Sequence, residues 1–437
     1  MAHNFLMSTL TFVDTLMIGQ LNESAIVAVG IANQFTFFFL IIQFGVHSGI
    51  SIYTAQYWGR KDIRHIRKLV GISLQLGICF GILFTLLALV FPAQIIVLFS
   101  KDPAVIAKGV VYLRIVGLSY PANVITFAYT YSLRSTEQVI PPLITGAVAV
   151  VSNIILNYLL IFGKLGLPAL GVTGAAVGTC IARCLECLLI LLFTYIKQYP
   201  SAAQWRYLWR VERTFFARVL KTAWPVIFHE FTWVLGFSIY NLIYARLGTN
   251  AFAAVNICVS IEGLALLLFM SISHATAIMV GNCIGAEKEK EAYISAVKLM
   301  VIQVSLAFAM GLMIIFGREP LLSFYNIAPV THTYAYYMLF VMGLILWGKV
   351  SNVGLIIGTF RSGGDTRFGL FLDLSGVWLV GIPMGLLGAF VLNLPVYWVM
   401  AMVVTEEIYK ISLGMPRFFS RKWIRNLVSH SGTSSII

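Results

Sequence analysis

"LNESAIVAVGI" at residues 21–31 and "LGTNAFAAVNI" at residues 247–257 agree at Leu, two Ala, Val and Ile when the chain is laid over itself at an offset of 226. At the same offset Gly59 of "YWGRK" falls on Gly285 of "CIGAE" and Gln56 falls on Asn282. Farther on, "LRS" at residues 133–135 meets "FRS" at residues 360–362 at an offset of 227. Self-similarity in this order marks an internal duplication, so the fold is settled by what one copy contains.

Composition says what each copy is made of. The chain is 437 residues long, 59% hydrophobic and 11% charged, with a mean hydropathy of +0.89, which places it outside soluble domains and among integral membrane proteins. Apolar runs long enough to cross a hydrocarbon core as helices recur throughout. Twelve spans are predicted, at residues 1–21, 25–56, 69–99, 109–133, 140–163, 170–196, 217–246, 251–281, 293–316, 331–360, 368–391 and 394–414. The expected fold is therefore all-α, with six helices per copy. An even number of spans gives both copies the same orientation, as parallel repeats about an axis along the membrane normal. The expected division is an N-lobe at 1–196, a cytoplasmic linker at 197–216, a C-lobe at 217–414 and a basic cytoplasmic tail at 415–437. Trp205, Trp209 and the arginines of the linker fit either an interfacial amphipathic segment or a plain connection.

The formal charge of +13 reads as topology rather than as a nucleic-acid surface. With the N-terminus inside, the cytoplasmic loops and tail hold 22 of the 30 Lys and Arg and the opposite loops five, so the positive-inside rule puts both termini in the cytoplasm of a multi-pass plasma-membrane protein. The opening lacks a basic n-region and a small-residue cleavage site, and no cleavable leader is expected. The segment "KTAWPVIFHE" that opens the seventh span maps to positions before Met1, leaving the first span short. A misplaced start is the expected cause and truncation the other.

The chemistry of a site has to come from polar groups inside spans, where an ionisable side chain costs about 2.5 to 3.5 kcal/mol. The six cysteines fall in or at the edge of spans, and His47, His229 and His274 fall in different spans, all without metal-ligand spacing. Cys180, Cys184 and Cys187 share a helix face, which reads as packing. No nucleophile, base and orienter assemble, so an enzyme is not expected.

The acidic candidates are Asp14, Glu186, Glu230, Glu262, Asp365 and Asp373. Asp14, in "TLTFVDTLMIGQL", has no Lys or Arg within two turns on its own helix. Burial favours a neutral carboxyl and a bound cation favours the charged one, so such a group can couple to an ion or stay protonated against a neighbouring helix. Asn153 and Asn157 lie four residues apart on one face of the fifth span. With Asp14 and Thr179 their oxygens can form a shell for a hard cation such as sodium, or the same groups can hold a protonated Asp14 by hydrogen bonds. In the second copy Glu230, Glu262 and Asp373 are the deeper candidates. Asp365 stands between Arg361 and Arg367, where an ion pair is the alternative, and Glu186 has Arg183 one turn before it. Aromatic patches such as "FTFFFL" near acids suit planar organic cations.

Together the pieces "FVDTLMIGQL", "SNIILNYLLIFGKLGLPALGVTGAAVGT", "VGNCIGAEKEKEA", "FRSGGDTRFGLFLDLSGVWLVGIPMGLL" and "PRFFSRKWIRNL" resemble, in order and over nearly the whole chain, the MATE family of multidrug and toxic compound extrusion antiporters, nearest its NorM-like branch. The resemblance implies two six-helix lobes forming a V-shaped cleft, no cofactor, a monomer, and export of small cationic or amphipathic compounds by alternating access, driven by sodium or protons. It implies an N-lobe cation site at Asp14 with Asn153, Asn157 and Thr179, and a C-lobe site at Glu230 and Asp365. Several members carry Asp where Asn157 stands, and its loss removes a proton acceptor, leaning the coupling ion toward sodium. The alternatives are a lipid-linked oligosaccharide flippase of the same superfamily, which would want a strongly cationic cleft, and a membrane-embedded enzyme.

Overall fold

The structure, a computed structural model, describes Asp14 and residues 17–429. Most of the first predicted span, and the tail beyond residue 429, lie outside the described residues. The chain is all helix and turn, in the order α1 (Glu23–Gly59), α2 (Ile63–Val90), α3 (Pro92–Val97), α4 (Pro103–Gly117), α5 (Tyr120–Ser135), α6 (Ile140–Phe162) and α7 (Val172–Ile196). After these come the short α8 (Trp205–Trp209), then α9 (Arg213–Arg246), α10 (Thr249–Gly285), α11 (Glu289–Leu322) and α12 (Pro329–Val353). The last are α13 (Thr366–Ser375), α14 (Ile382–Leu386), α15 (Val396–Val403) and α16 (Thr405–Phe419).

Local chemistry sets the helix ends. Asp62 accepts a hydrogen bond from the His65 amide at 3.1 Å and Asp102 one from the Ala104 amide at 2.8 Å, capping α2 and α4. Pro103 stands at the first turn of α4, where its missing N–H is no loss, and Gly163, at φ 66°, ends α6 in the left-handed conformation that glycine tolerates.

Among the described residues nine helical runs are long and apolar enough to cross a membrane, and the pair α4 and α5, bent by 46° at Leu118 and Ser119, makes a tenth. The predicted span 109–133 is thus a broken helix, and the predicted 69–99 starts earlier, at Ile63, and stops at Val90 before the separate α3. The predicted span 394–414 is broken at Val404, between α15 and α16. Runs 354–360, 376–381 and 387–391 widen into π-helical turns, a feature that collects at functional positions.

The chain divides into two compact units, Met1–Thr54 with Lys61–Leu220, and Ala55–Arg60 with Lys221–Ile437. In the first, α6 packs along α7 and α2 along α5. The linker belongs to this unit: Gln75 Nε2 donates to the Leu208 carbonyl at 2.6 Å, and Lys68 Nζ donates to Glu212 Oε1 at 2.7 Å. That bond and the lysine's charge hold the Glu212 carboxyl below the usual carboxylate range. Trp205 and Trp209 remain exposed.

In the second unit α11 packs along α12 and α10 along both. Its clearest close approach joins repeat-related positions. A Cβ on Gly59 would overlap the Asn282 carbonyl, and one on Gly285 would overlap the Gln56 carbonyl. Inside a membrane, helix association depends on such close packing rather than on a hydrophobic drive. Gly285→Ala is expected to destabilise the protein by about 1–3 kcal/mol, read as a lower melting temperature in detergent. An unchanged melting temperature would mean that the backbones separate freely.

Candidate functional site

Asp14 borders a cavity of about 460 Å³ in the first unit, lined from α1, α4, α5, α6 and α7. All four residues that the sequence grouped in this lobe come together. Asn157 Nδ2 donates to Asp14 Oδ1 at 2.8 Å and to Asn153 Oδ1 at 3.1 Å, and Asn153 Nδ2 donates to Thr179 Oγ1 at 3.3 Å. The i, i+4 spacing of the two asparagines on α6 places both carboxamides on one face, and Thr179 reaches them from the neighbouring α7. Asn153 and Asn157 are only 2% and 1% exposed, so this chain of donors runs through protein interior and delivers an N–H to the carboxylate.

The arrangement bears directly on the expected oxygen shell. The carboxamide hydrogen of Asn157, not its oxygen, faces Asp14, while Asn157 Oδ1 is buried with no hydrogen-bond partner among the described residues. That orphaned acceptor beside a carboxylate is a polarity a cation satisfies, and turning the amide would present it. The donor set fits a small hard cation once the amide turns, and it fits a protonated Asp14 by the same turn.

Among the described residues, one basic side chain shares the cavity. Arg183 lines it together with Asp14, although Asp14 has no cationic neighbour on its own helix. Its Nη1 also donates to Glu186 Oε2 at 2.9 Å, the i, i+3 pair anticipated from sequence. The four-residue step from Thr179 to Arg183 puts both on one face of α7, a signal the sequence offered. Tyr112, Phe37, Asn33 and Asn123 complete an amphipathic wall of aromatic rings and neutral polar groups.

In the second unit each acidic candidate already has a basic partner. Glu230 accepts from Arg361, Glu262 from Lys349 at 2.8 Å, Asp373 from Lys410 at 2.8 Å, and Asp365 from Arg417 at 2.7 Å and Arg425 at 2.8 Å. Asp365 therefore pairs with arginines from the end of the chain rather than with Arg361 or Arg367, and Glu230 and Asp365 sit in separate ion pairs. His229 bridges the first group: Nδ1 lies 2.9 Å from Arg361 Nη2, and Nε2 lies 3.0 Å from Asp373 Oδ2. Nδ1 also lies 3.3 Å from Glu230 Oε1, so the ring stands between a guanidinium that only donates and two carboxylates that accept. Arg361 and Lys410, counted by sequence with the cytoplasmic charges, are 5% and 4% exposed and belong to this buried network. Removing both from the count leaves the cytoplasmic excess intact.

Sequence reasoning passed over Glu406 and Glu407 in "TEEIYK", which are 7% and 5% exposed. The four-residue spacing from Glu406 to Lys410, 3.5 Å apart in the structure, is the pattern that could have found them. Among the described residues no group of three or more His, Cys, Asp and Glu is placed to hold a metal.

The comparisons agree with this architecture. Among curated proteins, the uncharacterized transporter YisQ of Bacillus subtilis is 24% identical over 416 residues, covering 94% of this chain and 90% of its own. The multidrug resistance protein MdtK of Yersinia pseudotuberculosis is 26% identical over 384 residues, covering 86% and 82%. Among solved structures, the MATE transporter VcmN of Vibrio cholerae in its bent form matches with a TM-score of 0.84 at 17% identity, covering 96% of this chain and 94% of its own. The eukaryotic MATE transporter AtDTX14 matches at 0.83 and 18%, covering 98% and 94%. At these identities the structural matches speak for the fold, which is the MATE fold. The MatE family model matches residues 1–159 and 225–387, falling once on each half of the duplication, and on that match the chain belongs to the MatE family, whose members are transporters and not enzymes.

Proposed function

We propose that this protein is a multidrug efflux transporter of the plasma membrane, exchanging an inward-moving cation, sodium or proton, for small cationic or amphipathic organic compounds, with Asp14 as the coupling carboxylate. The observation that carries the reading is the contrast between the two halves. The acidic candidates of the second unit each hold a fixed basic partner, whereas Asp14 takes its hydrogen bond from a neutral carboxamide and opens on a cavity with aromatic and polar walls. A carboxylate in that setting can exchange partners with an ion or an organic cation.

Coupling needs the ion and the compound to favour different conformations, since equal affinity for both shifts nothing. Competition for one carboxylate is a direct way to arrange that. The name of the Yersinia relative, a multidrug resistance protein, supports the substrate class, and the charge asymmetry of the loops supports cytoplasmic termini. The chain is read as a monomer, with lobes at residues 1–196 and 217–414, the linker at 197–216 and the tail from 415. The flippase alternative would want a cavity dominated by basic side chains, and Arg183 is the single Lys or Arg in the lining described here.

The experiment is ethidium export from everted vesicles containing the protein, energised in separate runs by a sodium gradient and by a proton gradient. Export under one gradient is expected and names the ion. Export under neither, with the protein present in the membrane, would overturn the reading.

A further inference from the structure

The segment that carries α8 is fastened to the first unit at several points. A Cβ on Gly71 of α2 would overlap the Tyr207 and Leu208 carbonyls, so the two backbones touch, and Gln75 donates to the Leu208 carbonyl at 2.6 Å. Leu208 itself enters the apolar cluster of Val70, Leu74, Tyr129 and Leu133. Upstream, the Ser201 and Ser132 hydroxyls meet at 2.8 Å, and the Tyr195 hydroxyl donates to the Ala203 carbonyl at 2.8 Å. Held on this side, α8 presents Trp205 and Trp209 on the other. They are 74% and 48% exposed, with ring centroids 5.5 Å apart.

Helix α2 sets the depth at which this happens. Its charges end at Lys68, and the 22 residues from Leu69 to Val90 carry none, the length that a hydrocarbon core requires of a helix. Gly71 and Gln75 lie within the first two turns of that stretch. The short helix bonded to them therefore lies where headgroups meet acyl chains, the level at which tryptophan is enriched in membrane proteins. Lipid at that level covers two indoles that the protein leaves bare.

Basic groups gather at the same level. Arg67 stands one turn before Gly71 on the same face of α2, and its Nε is buried with no hydrogen-bond partner among the described residues. Lys68 is taken by Glu212 at 2.7 Å, a carboxylate on which Arg64 also acts. The chain thus leaves α8 along the start of α2, and Arg210, whose amide bonds to the Arg206 carbonyl at 3.1 Å, lies on that path. Asp62, the other acid nearby, is bonded to His65 at 2.7 Å. Among the described residues Arg64, Arg67, Arg206 and Arg210 form no ion pair, so four arginines are left without a carboxylate. A guanidinium fork matches the oxygens of a phosphate, and the carrier of phosphate at this depth is a phospholipid.

We propose that α8 and the start of α2 form a binding site for an anionic phospholipid, with Arg67 and Arg210 on the headgroup phosphate, Arg64 and Arg206 beside it, and Trp205 and Trp209 against the chains. The claim depends on neither export nor the coupling ion. Full-length protein is reconstituted in phosphatidylcholine vesicles containing a minor fraction of lipid brominated near the carbonyl end of its chains, either phosphatidylglycerol or phosphatidylcholine. The difference in tryptophan quenching between wild type and Trp205→Phe/Trp209→Phe isolates the pair. It is expected to be roughly fivefold larger with the brominated phosphatidylglycerol, the factor that one basic residue contributes at an anionic surface. Arg67→Gln/Arg210→Gln is expected to bring the two lipids level at an unchanged melting temperature. Equal quenching of the wild-type pair by both lipids, a comparison that needs no arginine variant to fold, would overturn the proposal, and so would quenching by neither. An excess that the glutamine variant keeps would overturn it as well. An excess that inorganic phosphate removes at constant ionic strength would assign the arginines to the free anion and overturn the lipid as occupant.

Discussion

Asp14→Asn is expected to bring gradient-driven export down to the background of membranes lacking the protein, with expression and melting temperature close to wild type. The reason lies in what the substitution keeps. An asparagine has the size of the aspartate and can still accept from Asn157 Nδ2, the 2.8 Å bond found here, so the hydrogen-bonded chain through Asn153 to Thr179 survives. What disappears is the charge that a cation or an organic cation would compete for. Allosteric couplings of this kind amount to about 1–3 kcal/mol, or a roughly 5- to 150-fold change in affinity, and without that difference a gradient has nothing to act on. Binding of a neutral amphiphile to the cavity is expected to persist, which separates lost coupling from a lost fold. Full export by the variant would make the carboxylate structural and move coupling to the second unit.

Lys410→Met is expected to be the most damaging change to stability. The ammonium lies 2.8 Å from Asp373 and 3.5 Å from Glu406, in a place where both carboxylates are less than one-tenth exposed. Removing one partner of a buried pair leaves its mate uncompensated and costs about 3–5 kcal/mol. The check is thermal unfolding in detergent together with the double variant Lys410→Met/Asp373→Asn, which is expected to recover part of the loss because the stranded charge is gone. Equal melting temperatures for wild type and Lys410→Met would mean that the pair carries no stability. This outcome bears on the division of labour between the lobes, since a carboxylate that holds a helix in place is poorly suited to releasing its partner on every cycle.

Much of the fold was legible in the sequence because a membrane leaves few solutions. A run such as residues 25–56 has to be a helix, and duplicated motifs have to give duplicated bundles. The asparagine pair was legible too, since helical periodicity alone puts residues 153 and 157 on one face. What periodicity does not carry is the path of a helix in space. The break at Leu118 and Ser119 stands just before Pro121 and the one at Val404 just before Glu406 and Glu407, so the sequence marks a place for each while the bend itself is set by packing. The same limit hid the partners of the acids. Asp365 looked toward Arg361 and Arg367 because they are near in sequence, while Arg417 and Arg425, some 50 to 60 residues on, arrive only through the fold. Arg361 and Lys410 were read as loop charges because they fall near predicted span ends, and burial is a tertiary property.

The contact of Gly59 and Gly285 carries a consequence for descent. Each glycine makes room for a carbonyl near the other, Asn282 for one and Gln56 for the other, and these four residues are two copies of two ancestral positions. A gene encoding a single six-helix copy would have met this requirement twice with one codon, and fusion turned it into two codons with one shared constraint. A side chain at either is blocked by geometry rather than by chemistry, whereas another pair of repeat-related positions, Asp14 and Tyr240, differs in chemistry.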